Sequence, residues 1–125
     1  MAYEGQGIDI SLPAAADLST YQYRFVAIDG NGRGTLSGAN GTAGIGILQN
    51  KPGTADRAMS VRIGGIGKLV FGAVAEEGAP ICSGVQGCGT VAASLNDHVL
   101  AIALHGVGGS GDIQDVLLVN YWKPA

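Results

Sequence analysis

Short apolar runs separated by glycine-rich turns recur along the whole chain. The central stretch, residues 43–71, holds an apolar run at 45–48, a polar loop at 49–53, and a run at 59–63 in which apolar and polar side chains alternate. Alternation places every second side chain on the same face, as in a half-buried β-strand. Glycine, proline and asparagine bound these runs, which is typical of strands joined by turns. Residues 21–28, rich in aromatic and β-branched side chains, are predicted to form a further strand, and residues 14–19 are a candidate helical turn. The pattern predicts a fold built from strands.

The composition favours the same fold in a single domain. Of 125 residues, 22 are glycine and 46% are apolar, whereas only 14% are charged. This argues against disorder, and the scarcity of Glu, Lys and Arg argues against a helical bundle. We predict a mostly β fold, a compact β-barrel-like or β-sandwich-like domain of short strands with Gly-rich turns. It spans residues 8–125 and follows a flexible N-terminal arm, residues 1–7, which is polar and glycine-rich.

Two segments of the chain align with each other. Residues 25–64 and 80–119 match without a gap when the second is shifted back by 55 positions. The identical pairs are Gly32/Gly87, Gly34/Gly89, Thr35/Thr90, Ile47/Ile102, Gly53/Gly108 and Val61/Val116. Two interpretations stay open: two related β units that share one core, or coincidence in a glycine-rich β protein.

The charge and hydropathy patterns exclude two classes of partner. The net charge is −3 and the 7 basic residues are scattered, so no basic stripe is present to bind the phosphates of a nucleic acid. No stretch approaches the roughly 20 apolar residues that cross a membrane. The N-terminal residues also lack the apolar segment of a signal peptide. We predict neither a nucleic-acid nor a membrane partner.

The glycine-rich segment Gly64–Lys68 superficially resembles a phosphate-binding loop. That motif needs a glycine at position 62 and a Ser or Thr at position 69, where this chain has Arg62 and Leu69. The segment is therefore interpreted as a bend or bulge within a strand.

The few histidines and their neighbours do not predict catalysis. Ser94, Asp97 and His98 are close in sequence, whereas a catalytic triad is a spatial arrangement, and His105 lies at the start of a glycine-rich loop. Paired carboxylates for acid–base or metal chemistry are not evident. We predict no catalytic residue, no cofactor and no metal site.

Two other polar groups are interpreted as turn residues. Asp29 and Asn31 belong to a predicted hairpin turn and lack the later ligands of a calcium loop. Cys82 and Cys88 have no second pair and no nearby histidine, so they are predicted to be half-buried thiols beside a turn rather than zinc ligands. A disulfide across the turn stays open, although it should not form in a reducing cytoplasm.

Several segments carry a resemblance to a known family. They are IDISLPAAADLS at 8–19, QYRFV at 22–26, GILQNKP at 46–52, VRIGG at 61–65, and LAIAL at 100–104 with a glycine loop and Asp112 before the last strand. In this order they resemble the small capsid cement, or decoration, proteins of tailed bacteriophages. The Cys82–Cys88 hairpin and the terminal Tyr121-Trp122 are not part of the resemblance.

The resemblance implies a virion structural protein rather than an enzyme. Such a protein binds the major capsid protein on the outside of the shell, often as a homotrimer, and stabilises the capsid. It would be made in the host cytoplasm and located on the virion surface. The candidate partner-binding residues are apolar or aromatic and lie near the two ends of the chain: Tyr3, Ile8, Ile10, Tyr121 and Trp122.

Two other classes of function stay open. One is an enzyme on a trimeric β scaffold of the dUTPase-like type, which the glycine-rich strands suggest. The other is a carbohydrate- or receptor-binding module, whose stacking faces would come from Tyr3, Tyr21, Tyr23, Tyr121 and Trp122.

Overall fold

The structure, a computed structural model, describes residues 7–38, 41–93 and 97–122. Nine strands form in these ranges: β1 (Gly7–Pro13), β2 (Phe25–Ile28), β3 (Gly34–Leu36), β4 (Gly46–Leu48), β5 (Ala58–Val70), β6 (Pro80–Ser83), β7 (Gly89–Val91), β8 (His98–Ala103) and β9 (Ile113–Trp122). The helical element of the described ranges is one 3₁₀ turn at Val85–Gly87. The predicted mostly β fold of short strands with glycine-rich turns is confirmed. Within the described part, no helix is long and apolar enough to span a bilayer.

The strands form one curled antiparallel sheet around the long strand β5. The order is β3-β2-β4-β5-β9-β8-β6-β7, and β1 also pairs with β5. The first half of β5 pairs with β1 and β4, whereas its second half, from Ile66 to Val70, pairs with β9. Between the halves, Gly65 has φ +84°, a conformation that glycine adopts without strain. The predicted bend in the glycine-rich segment is therefore present.

The pairing of the strands repeats along the chain. Each pairing among β2, β3, β4 and the first half of β5 recurs among β6, β7, β8 and β9 with both residue numbers raised by 55. For example, Phe25 pairs with Ile47, and Pro80 pairs with Ile102. Below, residues 7–65 are called the first unit and residues 66–122 the second unit. The structure gives the shared register, and common origin of the two segments stays a prediction.

The first strand of each unit fits the same plan. β1 pairs with β5 in the first unit, and the second half of β5 pairs with β9 in the second. Each unit is closed by one parallel bridge to its short third strand, Ala14 to Gly34 and Phe71 to Gly89. Each unit is thus a small curled sheet whose two edges meet at one point.

Apolar side chains fill the interior of each unit. The first-unit core contains Val26, Leu48 and Val61, packed with the half-buried side chains of β1. The second-unit core is larger and includes two side chains that come from the first unit, Phe25 and Ile47. The two units therefore share apolar contacts, and the chain packs as one body.

Two segments differ from the sequence-based expectation. Residues 21–24 were expected to begin the strand that β2 continues, but they form a turn in which Tyr23 has φ +66°. This turn is held by bonds from distant strands: the Tyr23 N–H donates to the Leu48 carbonyl, and the Tyr23 carbonyl accepts from the Val70 N–H. Residues 14–19, a candidate helical turn, instead form bends after the bridge at Ala14. Tertiary hydrogen bonds override local propensity in both places.

Candidate functional site

The predicted partner-binding residues near the N-terminus lie on β1. Ile8 is 65% exposed, and it lies beside Gly64 of β5. Ile10 is half-buried and packs against the core of the first unit. Tyr3 lies outside the described residues, as do the other residues of the predicted arm before Gly7. Gly7, the last residue of the predicted arm, belongs to strand β1. Of this group, Ile8 presents the apolar surface that a partner could contact.

The predicted residues near the C-terminus end strand β9. Tyr121 is 42% exposed and Trp122 is 55% exposed. The indole of Trp122 stacks on the ring of the buried His98, with ring centroids 4.3 Å apart. One face of this indole is thus occupied within the chain.

The structure does not bring all the predicted residues into one site. β1 pairs with β5, and β9 pairs with the other half of β5 and with β8, so β1 and β9 are not paired with each other. Ile8 therefore belongs to the first unit, whereas Tyr121 and Trp122 belong to the second. They form two candidate contact surfaces.

An ion pair that the sequence analysis did not single out lies beside Ile8. The Arg62 Nε atom is 2.9 Å from Asp9 Oδ1, and a second guanidinium nitrogen donates to the other carboxylate oxygen. The hydrogen bond to Asp9 is the main cause that raises the pKa of Arg62. Arg62 Nη1 also donates to the Ile66 carbonyl at 3.0 Å, which joins the first unit to the second. Only the pairing of β1 with β5 brings these charges together, so spacing in sequence gave no signal.

An open cleft of about 870 Å³ lies between the two units. Its lining includes Arg24 from the first unit and Cys82, Cys88 and Asp97 from the second. Both cysteines are free. Burial, with the charge of Asp97 second, raises the pKa of the Cys82 thiol to about 11. Cys82 is therefore a neutral thiol at pH 7, which is a weak nucleophile.

This raised pKa predicts a pH dependence of stability. The unfolded thiol ionises near its ordinary pKa of 9.0, whereas the folded thiol stays protonated up to about 11. Stability from this group is complete below the unfolded pKa and is lost as pH rises through the folded pKa. Between pH 9.0 and about 11, we expect the wild type to lose more unfolding free energy than Cys82→Ser does. Urea unfolding with reductant at several pH values measures it, and a constant difference would contradict the assignment.

The side chains of the histidine segment bond to neighbouring parts of the chain. His98 is buried in β8, and its Nδ1 accepts the N–H of Gly44 at 3.2 Å while its Nε2 bonds Asn120 Oδ1. Asp97 is also buried and accepts the N–H of Ala93. Ser94 lies outside the described residues. Both ring nitrogens of His98 are thus engaged in holding the loop of the first unit and strand β9.

The other polar candidates have local partners as well. Asp29 Oδ1 accepts the N–H groups of Arg33 and Asn31, and these two hydrogen bonds, with Arg33 first, lower the pKa of Asp29. This is the hairpin turn predicted between β2 and β3. Across the described ranges, no group of three or more His, Cys, Asp or Glu side chains is placed to hold a metal ion.

Comparison with known proteins gives a structural match. No family model matches the chain, and no curated protein matches it. Among solved structures, it is similar to the N base of the head fiber gp8.5 of bacteriophage phi29, with a TM-score of 0.69. The chain has the fold of that base. The match covers 91% of this chain and 95% of the head-fiber base, at 13% sequence identity. Because both chains are covered almost completely, both units take part in the likeness to the head-fiber base.

Proposed function

We propose that this chain is a structural protein of a bacteriophage virion. It binds the major capsid protein on the outside of the shell as a homotrimer and stabilises the capsid. It is made in the host cytoplasm and acts on the virion surface. The observation that carries the proposal is the likeness, over 91% of the chain, to the fold of a phage head-fiber base.

The surface of the chain fits binding rather than chemistry. Ile8 and Trp122 are large apolar side chains that stay more than half exposed, at 65% and 55%. The polar side chains that invited a catalytic interpretation, Asp97 and His98, bond to the backbone of neighbouring loops. Ile8 is adjacent to the Asp9–Arg62 ion pair, and an apolar group beside charged groups resembles the mixed composition of protein interfaces.

Ile8 provides a direct test of the first contact surface. Replacing Ile8 with serine should leave the melting temperature nearly unchanged because the side chain is mostly exposed. A fully buried isoleucine contributes about 1.5–3 kcal/mol to association, so capsid affinity should fall about ten- to hundredfold. Val74→Ser is the matched control, since Val74 is 64% exposed and lies on neither contact surface. Equal affinities for the two variants would remove Ile8 from the interface.

The two alternative classes make different predictions. A dUTPase-like enzyme would hydrolyse nucleotides, and a carbohydrate-binding module would retain sugars on a glycan panel. Stacking on the outer face of Trp122, at the end of β9, would be the mode of sugar binding. Nucleotide turnover, or sugar binding that Trp122→Ala abolishes, would replace the virion proposal.

Labelling of purified virions tests the proposed location. Antibodies against the chain, viewed by electron microscopy, should decorate the heads of intact phage particles. Virions that lack the chain serve as the control and should lose DNA at a lower temperature. Labelling confined to tails, or unlabelled particles, would contradict a place on the capsid surface.

A further inference from the structure

The contact between the two units suggests how the chain meets other copies of itself. Phe25 and Ile47 belong to the first unit, yet both are 0% exposed and lie in the apolar core with Leu69, Ile81 and Val116 of the second. These two residues are called the inserting face. They complete the core of a neighbouring unit rather than that of their own.

The second unit packs on the first with both apolar and polar groups. Leu100 and Leu118 belong to the same core cluster and are buried. The Ser83 carbonyl accepts the N–H of Gly41 at 3.0 Å, and the Ser83 hydroxyl donates to the Gly38 carbonyl at 2.7 Å. Ser83, Leu100 and Leu118 are called the receiving face.

The repeated register places an equivalent inserting face on the second unit. Raising Phe25 and Ile47 by 55 gives Pro80 and Ile102, which are only half-buried. Ile102 pairs with Leu117, which is 41% exposed. No unit follows them in the described part of the chain, so the face that is covered in the first unit is uncovered in the second.

An equivalent receiving face lies on the first unit. The positions that correspond to Ser83 and Leu118 are Ile28 and Ile63, which are 50% and 41% exposed. The position that corresponds to Leu100 is the half-buried Ile45. Three isoleucines thus stand where the second unit receives its neighbour.

We propose that these two uncovered faces bind each other between copies of this chain. The uncovered inserting face, on the second unit of one copy, consists of Pro80, Ile102 and Leu117. It packs on the uncovered receiving face, on the first unit of the next copy, which consists of Ile28, Ile45 and Ile63. The partner is a second copy because, within one chain, the equivalent face of the first unit is already covered by the second unit, which has the same curled-sheet fold. The contact between copies repeats the contact between the units.

Such a contact is head-to-tail, since the two faces differ. A head-to-tail contact uses different patches on the two partners and closes into a ring when the rotation permits. Position 62 of the first unit, which corresponds to Leu117, is occupied by Arg62, which pairs with Ile47 of the inserting face and donates to the Ile66 carbonyl. Leu117 is apolar at this position, which favours a contact with isoleucine side chains.

Two variants with opposite defects test the proposal. Leu117→Glu blocks the inserting face and Ile63→Glu blocks the receiving face, and each changes a side chain that is 41% exposed. Because a buried unpaired charge is strongly unfavourable, each variant alone should self-associate at least about tenfold more weakly than wild type. Val74→Glu, at a site of 64% exposure outside both faces, should associate like wild type. Sedimentation velocity measures association, and circular dichroism checks that each variant is folded.

Mixing the two variants gives the decisive result. The intact inserting face of Ile63→Glu can bind the intact receiving face of Leu117→Glu, and the two remaining faces of the pair are blocked. The mixture should therefore form one-to-one dimers and nothing larger. A wild type that stays monomeric, a variant that associates as wild type does, or a mixture that forms no dimer would overturn the proposal. If either glutamate variant fails to fold, Leu117→Ser and Ile63→Ser replace the pair with the same expected pattern.

The inference rests on the proposed function only for the expectation that the chain self-associates. The experiment uses purified protein without capsids. Loss of capsid binding in a chain that still assembles head-to-tail would count against the virion proposal alone. Capsid binding by a monomeric chain would count against this inference and the proposed homotrimer, but not against the place on the virion.

Discussion

Replacing Gly46 with alanine is expected to destabilise the chain by about 3 kcal/mol or more, as overpacking against a fixed neighbour does. A Cβ at this position would lie 2.1 Å from the carbonyl oxygen of Arg62 and 2.9 Å from its carbonyl carbon. Both are backbone atoms of β5, so no side chain can move aside. Strand β4 would have to separate from the centre of the sheet, and the melting temperature should fall by roughly 10 °C.

Gly30→Ala is the matched control for this prediction. No atom lies within 4 Å of a Cβ built at Gly30, in the turn between β2 and β3. Its melting temperature should therefore stay close to that of wild type. Thermal unfolding of both variants by circular dichroism makes the comparison, and a Gly46→Ala protein that melts with the control would refute the close approach of β4 to β5.

Replacing Ile47 with alanine is expected to cost about 2–5 kcal/mol of unfolding free energy, as for other large-to-small core substitutions. Ile47 is 0% exposed and fills the shared core between the units, where the closely packed second unit cannot collapse fully around the cavity. The loss would show how much of the stability depends on one unit covering the other.

Ile102→Ala provides the comparison within the same chain. Ile102 occupies the equivalent place in the second unit but is only half-buried. Its replacement should cost about 1 kcal/mol in the dissociated chain. Urea unfolding at low protein concentration measures both variants, and equal losses would mean that the two positions are not differently covered.

Much of the fold follows from local patterns in the sequence. The alternation at residues 59–63 lies in strand β5, and residues 100–103 of the segment LAIAL lie in strand β8. The turn at residues 29–32 joins β2 to β3 as predicted, because aspartate and glycine provide the side-chain acceptor and the positive φ that such a turn needs. These features depend on neighbours in sequence, which a sequence reveals.

The features that were missed depend on distant contacts. The turn at Tyr23 is held by Leu48 and Val70, and aromatic residues at 21 and 23 otherwise favour a strand. Strand β5 pairs with β1 and β4 in its first half and with β9 in its second half. The bend at Gly65 lies where these partners change, so its position depends on all three strands. No local signal reports such pairings.

The candidate contact surfaces were predictable in part. Three of the predicted contact residues are exposed at or near strand ends: Ile8, Tyr121 and Trp122. Ile10 instead packs against the core of the first unit. The Asp9–Arg62 pair became visible only with the register of β1 against β5. The uncovered faces at Ile63 and Leu117 require a comparison of the two units in space.

Co-sedimentation with capsids tests the central claim most directly. Purified chain is mixed with capsids of the phage that encodes it, stripped of the chain, and the mixture is centrifuged through a sucrose cushion. We expect the folded chain to pellet with the capsids and to saturate at a fixed number of copies per capsid protein. A chain that stays in the supernatant while it remains folded would contradict a role on the capsid surface.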